Sequence, residues 1–206
     1  MEKDQRIRKY DKQVKIYENT GKNQKFNELR KKIIKNAYGK VLEVGVGAGA
    51  NFPYYNKKNV EITAVDFSSE MIKSAKRAAS TYQLKVEFIQ NDVDKLLMEQ
   101  NSYDCIVSTL SLCSYPEPIA TLNKFNGWCR KDGSILLMEH GLSSNQFLSF
   151  AKKMIDPLHT KIAGCHCNRN IKKLIDESYL QVDHSERYWS DIVNLIWAKP
   201  NKQVFT

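Results

Sequence analysis

Three glycines stand at alternate positions in the run Glu43-Val44-Gly45-Val46-Gly47-Ala48-Gly49, directly behind Val41 and Leu42. A strand ending on such a run hands over to a turn whose backbone is bare. Glycine has no Cβ to keep a ligand away and reaches positive φ without strain. That is the chemistry of holding a nucleotide-like ligand against main chain. Alone it does not choose the ligand, because Gly45-Val46-Gly47-Ala48-Gly49-Ala50 also satisfies the loose G-x-G-x-x-A pattern of dinucleotide sites. Asp66, at the end of the next apolar run, suits either case, since its carboxylate accepts hydrogen bonds from ribose hydroxyls. Three features choose between them, one being that after the fifth strand the chain supplies helices and an antiparallel pair in place of another βαβ half. Glu43 sets a carboxylate beside the turn, which favours a ligand with ammonium and sulfonium charge and repels a pyrophosphate. Asn91-Asp92, behind a third apolar run, offers side chains that hydrogen-bond an adenine amino group.

Those residues need a frame. Residues 41–44, 60–66, 86–90, 103–108 and 134–139 read as short strands, the last behind a turn at Lys131-Asp132-Gly133. Ser68 or Ser69 caps a helix with Met71, Ile72, Ala75 and Ala79 on one face, and another helix runs from Pro118 to about Trp128. The alternation predicts an α/β fold with a doubly wound, mostly parallel sheet and a ligand over the carboxyl ends of its strands. Residues 143–178 read as helical with a break near Gly164, and 180–188 with 194–199 as a C-terminal antiparallel pair. Residues 3–38 read as two helices, with Ile7, Tyr10, Val14 and Tyr17, then Phe26, Leu29 and Ile33, at helical spacing and a break at Thr20-Gly21. Three parts follow: a helical extension 1–38, a ligand-binding domain 39–199 and a tail 200–206. The extension would either cover the ligand as a lid, with Tyr10, Tyr17, Tyr54 and Tyr55 contributing, or pack on the flank of the sheet.

Composition bounds the partners. The 206 residues are 42% hydrophobic and 27% charged, which suits one well-filled globular domain. No apolar run approaches the roughly 20 residues of a membrane span. The opening Met1-Glu2-Lys3-Asp4 is unlike a secretory signal, and the five cysteines have no framework spacing, so reduced thiols and a cytoplasmic location are expected. The net charge of +9 is dispersed in pairs such as Lys31-Lys32 and Lys172-Lys173, without interleaved aromatics. This pattern reads as a solvated surface and not as a nucleic-acid face.

Together, Val41 to Gly49, Val65-Asp66, Asn91-Asp92 and Asp132-Gly133-Ser134 make residues 39–199 resemble the class I S-adenosylmethionine-dependent methyltransferases. Within them the chain resembles the small-molecule group of ubiquinone/menaquinone methyltransferases and, more closely, the animal membrane-anchored thiol methyltransferases. The second likeness rests on Met138-Glu139-His140, Asp156-Pro157-Leu158 and Gly164-Cys165-His166-Cys167-Asn168-Arg169. In place of the animal proteins' apolar anchor this chain has a charged helical segment. The resemblance implies a Rossmann-like fold and S-adenosylmethionine as cofactor, with S-adenosylhomocysteine as product. It implies that Gly45, Gly47 and Gly49 line the methionine portion beside Glu43, and that Asp66 holds the ribose. It further implies Phe67 and Met71 flanking the adenine, Asp92 and Val93 at its edge, and Thr109 and Leu110 beside the methyl donor. Phe67 and Met71 equally suit plain core packing.

Methyl transfer is an in-line displacement that needs the acceptor aligned and dry, and a base only where the acceptor is protonated. His140, at the end of the fifth strand, is the candidate base or orienting group, or else a histidine hydrogen-bonded in a crevice wall. Cys165-His166-Cys167 invites a metal, but no second ligand pair stands at zinc-like spacing, so no metal is expected. His166 and Arg169 suit a substrate-side lining or packing at a helix start, and Cys113, past the fourth strand, either an approach to the substrate or a small apolar filler. The expected activity is methylation of a small-molecule thiol or other heteroatom. The alternatives are C-methylation of a quinone-type ring, a nucleic-acid methyltransferase and an NAD-binding oxidoreductase.

Overall fold

In the computed structural model, which describes residues 3–20 and 23–205, five strands run parallel: β1 (Gly39–Val44), β2 (Val60–Asp66), β3 (Val86–Gln90), β4 (Tyr103–Thr109) and β5 (Cys129–His140). Two more, β6 (Leu180–Tyr188) and β7 (Val193–Pro200), close one edge antiparallel, giving the order β3-β2-β1-β4-β5-β7-β6. The chain steps outward from β1 to β3 and then returns to lay β4 on the other side of β1. That reversal opens a crevice beyond the carboxyl ends of β1 and β4.

Alternate residues feed the two faces. Leu42 and Ile106 face a core completed by Phe125 of α4 (Pro118–Trp128) and Ile171 of α6 (Ile171–Asp176). Val41 and Cys105 face the opposite core, with Ile33 of α2 (Gln24–Ile34) and Ala75 of α3 (Ser69–Thr81). Ser68 caps α3 by accepting from Met71 N–H, and Met71, Ile72, Ala75 and Ala79 are its buried apolar residues, the face expected from their spacing.

The expected turn at 131–133 lies inside β5. Pairing with β4 jumps from Tyr103–Cys129 to Cys105–Ser134, so residues 130–133 arch out opposite Asp104 as a bulge. The Arg130 guanidinium donates to the Asp104 carboxylate, and a Cβ on Gly133 would lie 2.8 Å from the Asp104 carbonyl. A side chain there would push the strands apart.

The expected helical stretch divides into α5 (Gln146–Ala163) and α6. Gly164 ends α5 at φ +86° and donates its N–H to the Thr160 carbonyl. Only Asp156 of α5 is buried, whereas Phe147, Phe150, Met154, Leu158 and Ile162 are more than half exposed. At the N-terminus α1 (Lys3–Thr20) precedes α2; Gly21 of the expected break lies outside the described residues. Among the described residues no helix is long and apolar enough to cross a membrane.

Candidate active site

A cavity of about 430 Å³ opens where Val44 and Gly45 leave β1, Asp66 ends β2, Thr109 ends β4 and His140 ends β5. That volume falls within the range of small-molecule sites.

One wall is the glycine turn. Gly45 N–H and Val46 N–H both donate to the Val65 carbonyl, at 2.9 and 3.1 Å. Gly47 N–H donates to Asp66 Oδ2 and Ser68 N–H to Asp66 Oδ1, each at 2.9 Å. The Asp66 carboxylate therefore braces the turn as well as lining the cavity, and burial pushes its pKa up to about 6. Gly45 sits at φ +72°, where a Cβ would stand 2.8 Å from Ser111 Cβ. Gly47, at φ +53°, would send a Cβ towards Tyr17 of α1 across the cavity.

Gly45, Gly47, Asp66, Phe67, Met71, Val93, Thr109, Leu110 and His140 all line the cavity. Glu43, Gly49 and Asp92 do not. A Cβ on Gly49 would lie 2.8 Å from the Phe52 ring, so its bareness admits Phe52 to the core. Glu43 is turned the other way and buried, accepting from Asn51 Nδ2 at 2.8 Å and Tyr55 Oη at 2.9 Å. Burial pushes its carboxyl up to about 7, against those two donors and the Arg30 charge. Asp92 is taken up by a buried ion pair, 2.6 Å from Arg6 Nη2 of α1. Asn91 and Val93 reach the cavity on either side of it.

Sequence reading missed Arg30. From α2 it lines the cavity, its Nη1 donating to Asn51 Oδ1 at 3.4 Å and Thr109 Oγ1 at 3.3 Å. Its Nε is buried without a protein partner, and burial lowers its pKa. An unsatisfied buried guanidinium donor calls for an acceptor from a ligand. The available signal was an arginine inside the otherwise apolar stripe of Leu29, Ile33 and Ile34. These groups fit S-adenosylmethionine: Arg30 suits its carboxylate, Asp66 its ribose diol and the apolar flank of Phe67 and Met71 its adenine.

α1 lies along the mouth. Tyr10, Gln13, Ile16 and Tyr17 line the cavity, while Tyr54 and Tyr55 stand outside it. The Tyr10 ring meets Phe67 edge-on at 5.1 Å, and the Arg6 guanidinium lies 5.2 Å from the centre of the same ring. Asp11 accepts from Ser68 Oγ at 2.5 Å and Glu18 from Ser74 Oγ at 2.6 Å, tying the helix to α3 and its cap.

The far wall comes from the turn after β4, the end of β5 and the end of α5. Leu110 holds φ +55°, uncommon for a branched side chain, and its N–H donates to the Met138 carbonyl at 2.7 Å. Glu139, wholly buried, accepts from Ser108 Oγ, Ser111 N–H and Leu112 N–H at 3.0 to 3.1 Å. Burial pushes its carboxyl up to about 8. It fastens the turn after β4 to β5, a role its place beside His140 did not reveal. His140, Cys113 and Cys165 converge on the cavity here. The Cys113 thiol and then His140 hold the Cys165 thiol below the usual thiol range. His166 and Arg169 stay outside the cavity: His166 Nδ1 lies 2.8 Å from Asp156 Oδ2, and Arg169 donates to the Tyr115 carbonyl.

Residues 42–137 match the family model described as a methyltransferase domain. A mitochondrial methyltransferase of Saccharomyces cerevisiae is 29% identical over 180 residues, which cover 77% of this chain and 37% of the yeast protein. The chain thus spans little more than a third of that relative's length. The human thiol S-methyltransferase is 29% identical over 155 residues, covering 70% of this chain and 62% of its own. Geranyl diphosphate C-methyltransferase from Streptomyces coelicolor, solved with S-adenosyl-L-homocysteine, shares the fold with a TM-score of 0.65 at 10% identity, over 84% of this chain and 74% of that one.

Proposed function

This chain carries a methyltransferase domain of the class I, S-adenosylmethionine-dependent kind, and from that premise we propose that it methylates the thiol of a small, largely apolar acceptor. The observation that carries this reading is the make-up of the far wall. Two thiols and an imidazole, with apolar and aromatic neighbours and no carboxylate lining that side, face the cavity opposite the glycine turn. Soft, weakly charged surroundings suit a sulfur nucleophile. A likeness to a thiol S-methyltransferase points the same way.

Bound S-adenosylmethionine supplies an electrophilic methyl on a sulfonium sulfur. The chain's own residues do the rest. The glycine turn and Asp66 form one wall, and Arg30 offers its free Nε to a carboxylate. α1 and α2 exclude water by laying Tyr10, Tyr17 and Phe26 across the opening, which strengthens every charge interaction inside. His140, at the end of β5, stands where it orients the acceptor's sulfur. A thiol with an ordinary pKa near 8.5 needs little further help.

The test is methyl transfer from labelled S-adenosylmethionine to a panel of thiols, amines, phenols and demethylated quinone precursors. Transfer to thiols, reduced in His140→Ala with S-adenosylhomocysteine affinity unchanged, is expected. Transfer to a quinone ring alone would move the reading to C-methylation. NADH binding without S-adenosylhomocysteine binding would end it.

A further inference from the structure

Spacing along the chain predicts no metal, yet the fold assembles a ligand set from three separate segments. Cys113 lies in the turn after β4, His140 is the last residue of β5, and Cys165 follows the glycine that ends α5. Their thiol sulfurs and imidazole nitrogen lie within 4.8 Å of one another, and all three residues line the cavity. We infer that Cys113, His140 and Cys165 form a binding site for a thiophilic divalent cation, Zn²⁺, whose fourth position opens into the cavity to take the sulfur of the acceptor.

The segments are stitched together through main chain. His166 N–H donates to the Cys113 carbonyl at 2.9 Å, joining the segment after α5 to the turn after β4. His159 Nδ1 lies 2.9 Å from the Cys165 carbonyl, anchoring the same segment to α5. Leu110 N–H on the Met138 carbonyl ties the turn to β5 two residues before His140. Cys113 and Cys165 are buried, at 3% and 8% exposure, so their positions are set by packing.

The geometry suits the ion. With Zn–S bonds of about 2.3 Å, tetrahedral ligation sets sulfurs roughly 3.8 Å apart. The observed grouping, within 4.8 Å, is of the same order. Two sulfurs and one imidazole nitrogen select zinc over magnesium or calcium, which prefer oxygen. The nearest chain neighbour with a carboxylate, Glu139, is engaged by Ser108, Ser111 and Leu112. Three protein ligands with an open position mark a catalytic and not a structural zinc site.

The use of the site on a thiol rests on the acceptor reading above; the site itself does not. On binding, the acceptor's S–H proton passes to solvent and its sulfur joins the metal as thiolate. In transfer a thiolate lone pair forms the new S–CH₃ bond while the bond from methyl to the sulfonium sulfur breaks. S-adenosylhomocysteine and the methylated acceptor leave as neutral thioethers, and the second is a weak ligand that yields its position. No electrons enter or leave.

The experiment uses untagged full-length protein. Metal analysis after purification without chelator is expected to find one zinc per chain. After chelator treatment, Co²⁺ is expected to restore an intense thiolate-to-cobalt absorption at one equivalent. That band is expected to vanish in Cys113→Ser and Cys165→Ser and to persist in Cys167→Ser, whose thiol lies outside the cavity. Thermal stabilisation of each variant by S-adenosylhomocysteine shows that its cofactor half is intact. Should the serine variants not fold, wild-type protein decides: Zn²⁺ is expected to protect Cys113 and Cys165 from iodoacetamide, read by peptide mass spectrometry. An unchanged cobalt band in Cys165→Ser, absence of Co²⁺ binding, or equal labelling with and without Zn²⁺ would overturn the site. Thiol methylation at full rate in metal-free enzyme would remove the metal from the reaction while leaving the thiol reading intact. A confirmed zinc site with no thiol substrate would leave the site standing and end that reading.

Discussion

The two walls of the cavity are built by different physics. The strand-end wall is short-range and nearly rigid: the glycine turn, Asp66 and the residues after β4 are pinned by backbone hydrogen bonds to the buried carboxylates of Asp66 and Glu139. The helical cover is long-range and polar. Among its described residues α1 buries only Arg6 and Tyr10, and it is held by ion pairs and side-chain hydrogen bonds to α3, its cap and the loop after β3. α5 turns most of its apolar side chains away from the protein. On the proposed function, the cofactor meets the wall that tolerates least change. The proposed acceptor site spans both, with Cys113 and His140 on the strand ends and Ile162, Ala163 and Cys165 at the end of α5.

The contrast breaks most sharply at Gly45. Gly45→Val is expected to lower S-adenosylhomocysteine affinity by about 100-fold or more, since the side chain needs both a left-handed backbone and the space of Ser111. Isothermal calorimetry measures it, and near-normal affinity would show that the turn adapts. On the cover, Arg6→Ala leaves Asp92 buried without its charge partner, a loss of about 3 kcal/mol. Chemical denaturation reads that loss directly, and unchanged stability would mean that α1 is held by its other contacts.

A finer test uses pH. Glu43 meets Tyr55, Asn51 and the Arg30 charge, but burial prevails and lifts its folded pKa to about 7 from 4.5. Folding therefore takes up a proton between those values. Its contribution is fully present below about pH 4.5 and is lost as pH rises through about 7. Relative to Glu43→Gln, the wild type is expected to lose up to about 1.4 kcal/mol per pH unit across that window. Parallel urea midpoints for the two proteins from pH 5 to 7 would contradict the burial argument. The smallest effect belongs to the outer face of α5. Phe150→Lys is expected to shift stability by less than about 0.5 kcal/mol, because the side chain is 67% exposed. A larger loss in the melting curve would show that this face is covered.

Much of this protein is local in sequence. Strand–helix alternation, the Ser68 cap, the apolar face of α3 and the glycine turn depend on residues within a few positions of one another, and each is legible in the chain. Hence the alternating strands and helices and the glycine turn are legible from residues 41 to 140, although Glu43 and Asp92, which pointed to the methyl donor, do not themselves line the cavity. The bulge at 130–133 was read as a turn because its cause, Asp104 on the neighbouring strand, is remote in sequence. The same limit applies to Glu43, whose side chain faces Asn51 and Tyr55 and not the cavity, and to Arg30, whose helix reaches the site only after packing on the sheet. Cys113, His140 and Cys165 are the extreme case. No spacing rule joins residues separated by whole strands and helices, and only the register of β4 against β5 and the end of α5 bring them together. Sequence alone determines which groups are present and what each short segment becomes; tertiary structure decides which groups meet, because burial and charge pairing act between segments far apart along the chain.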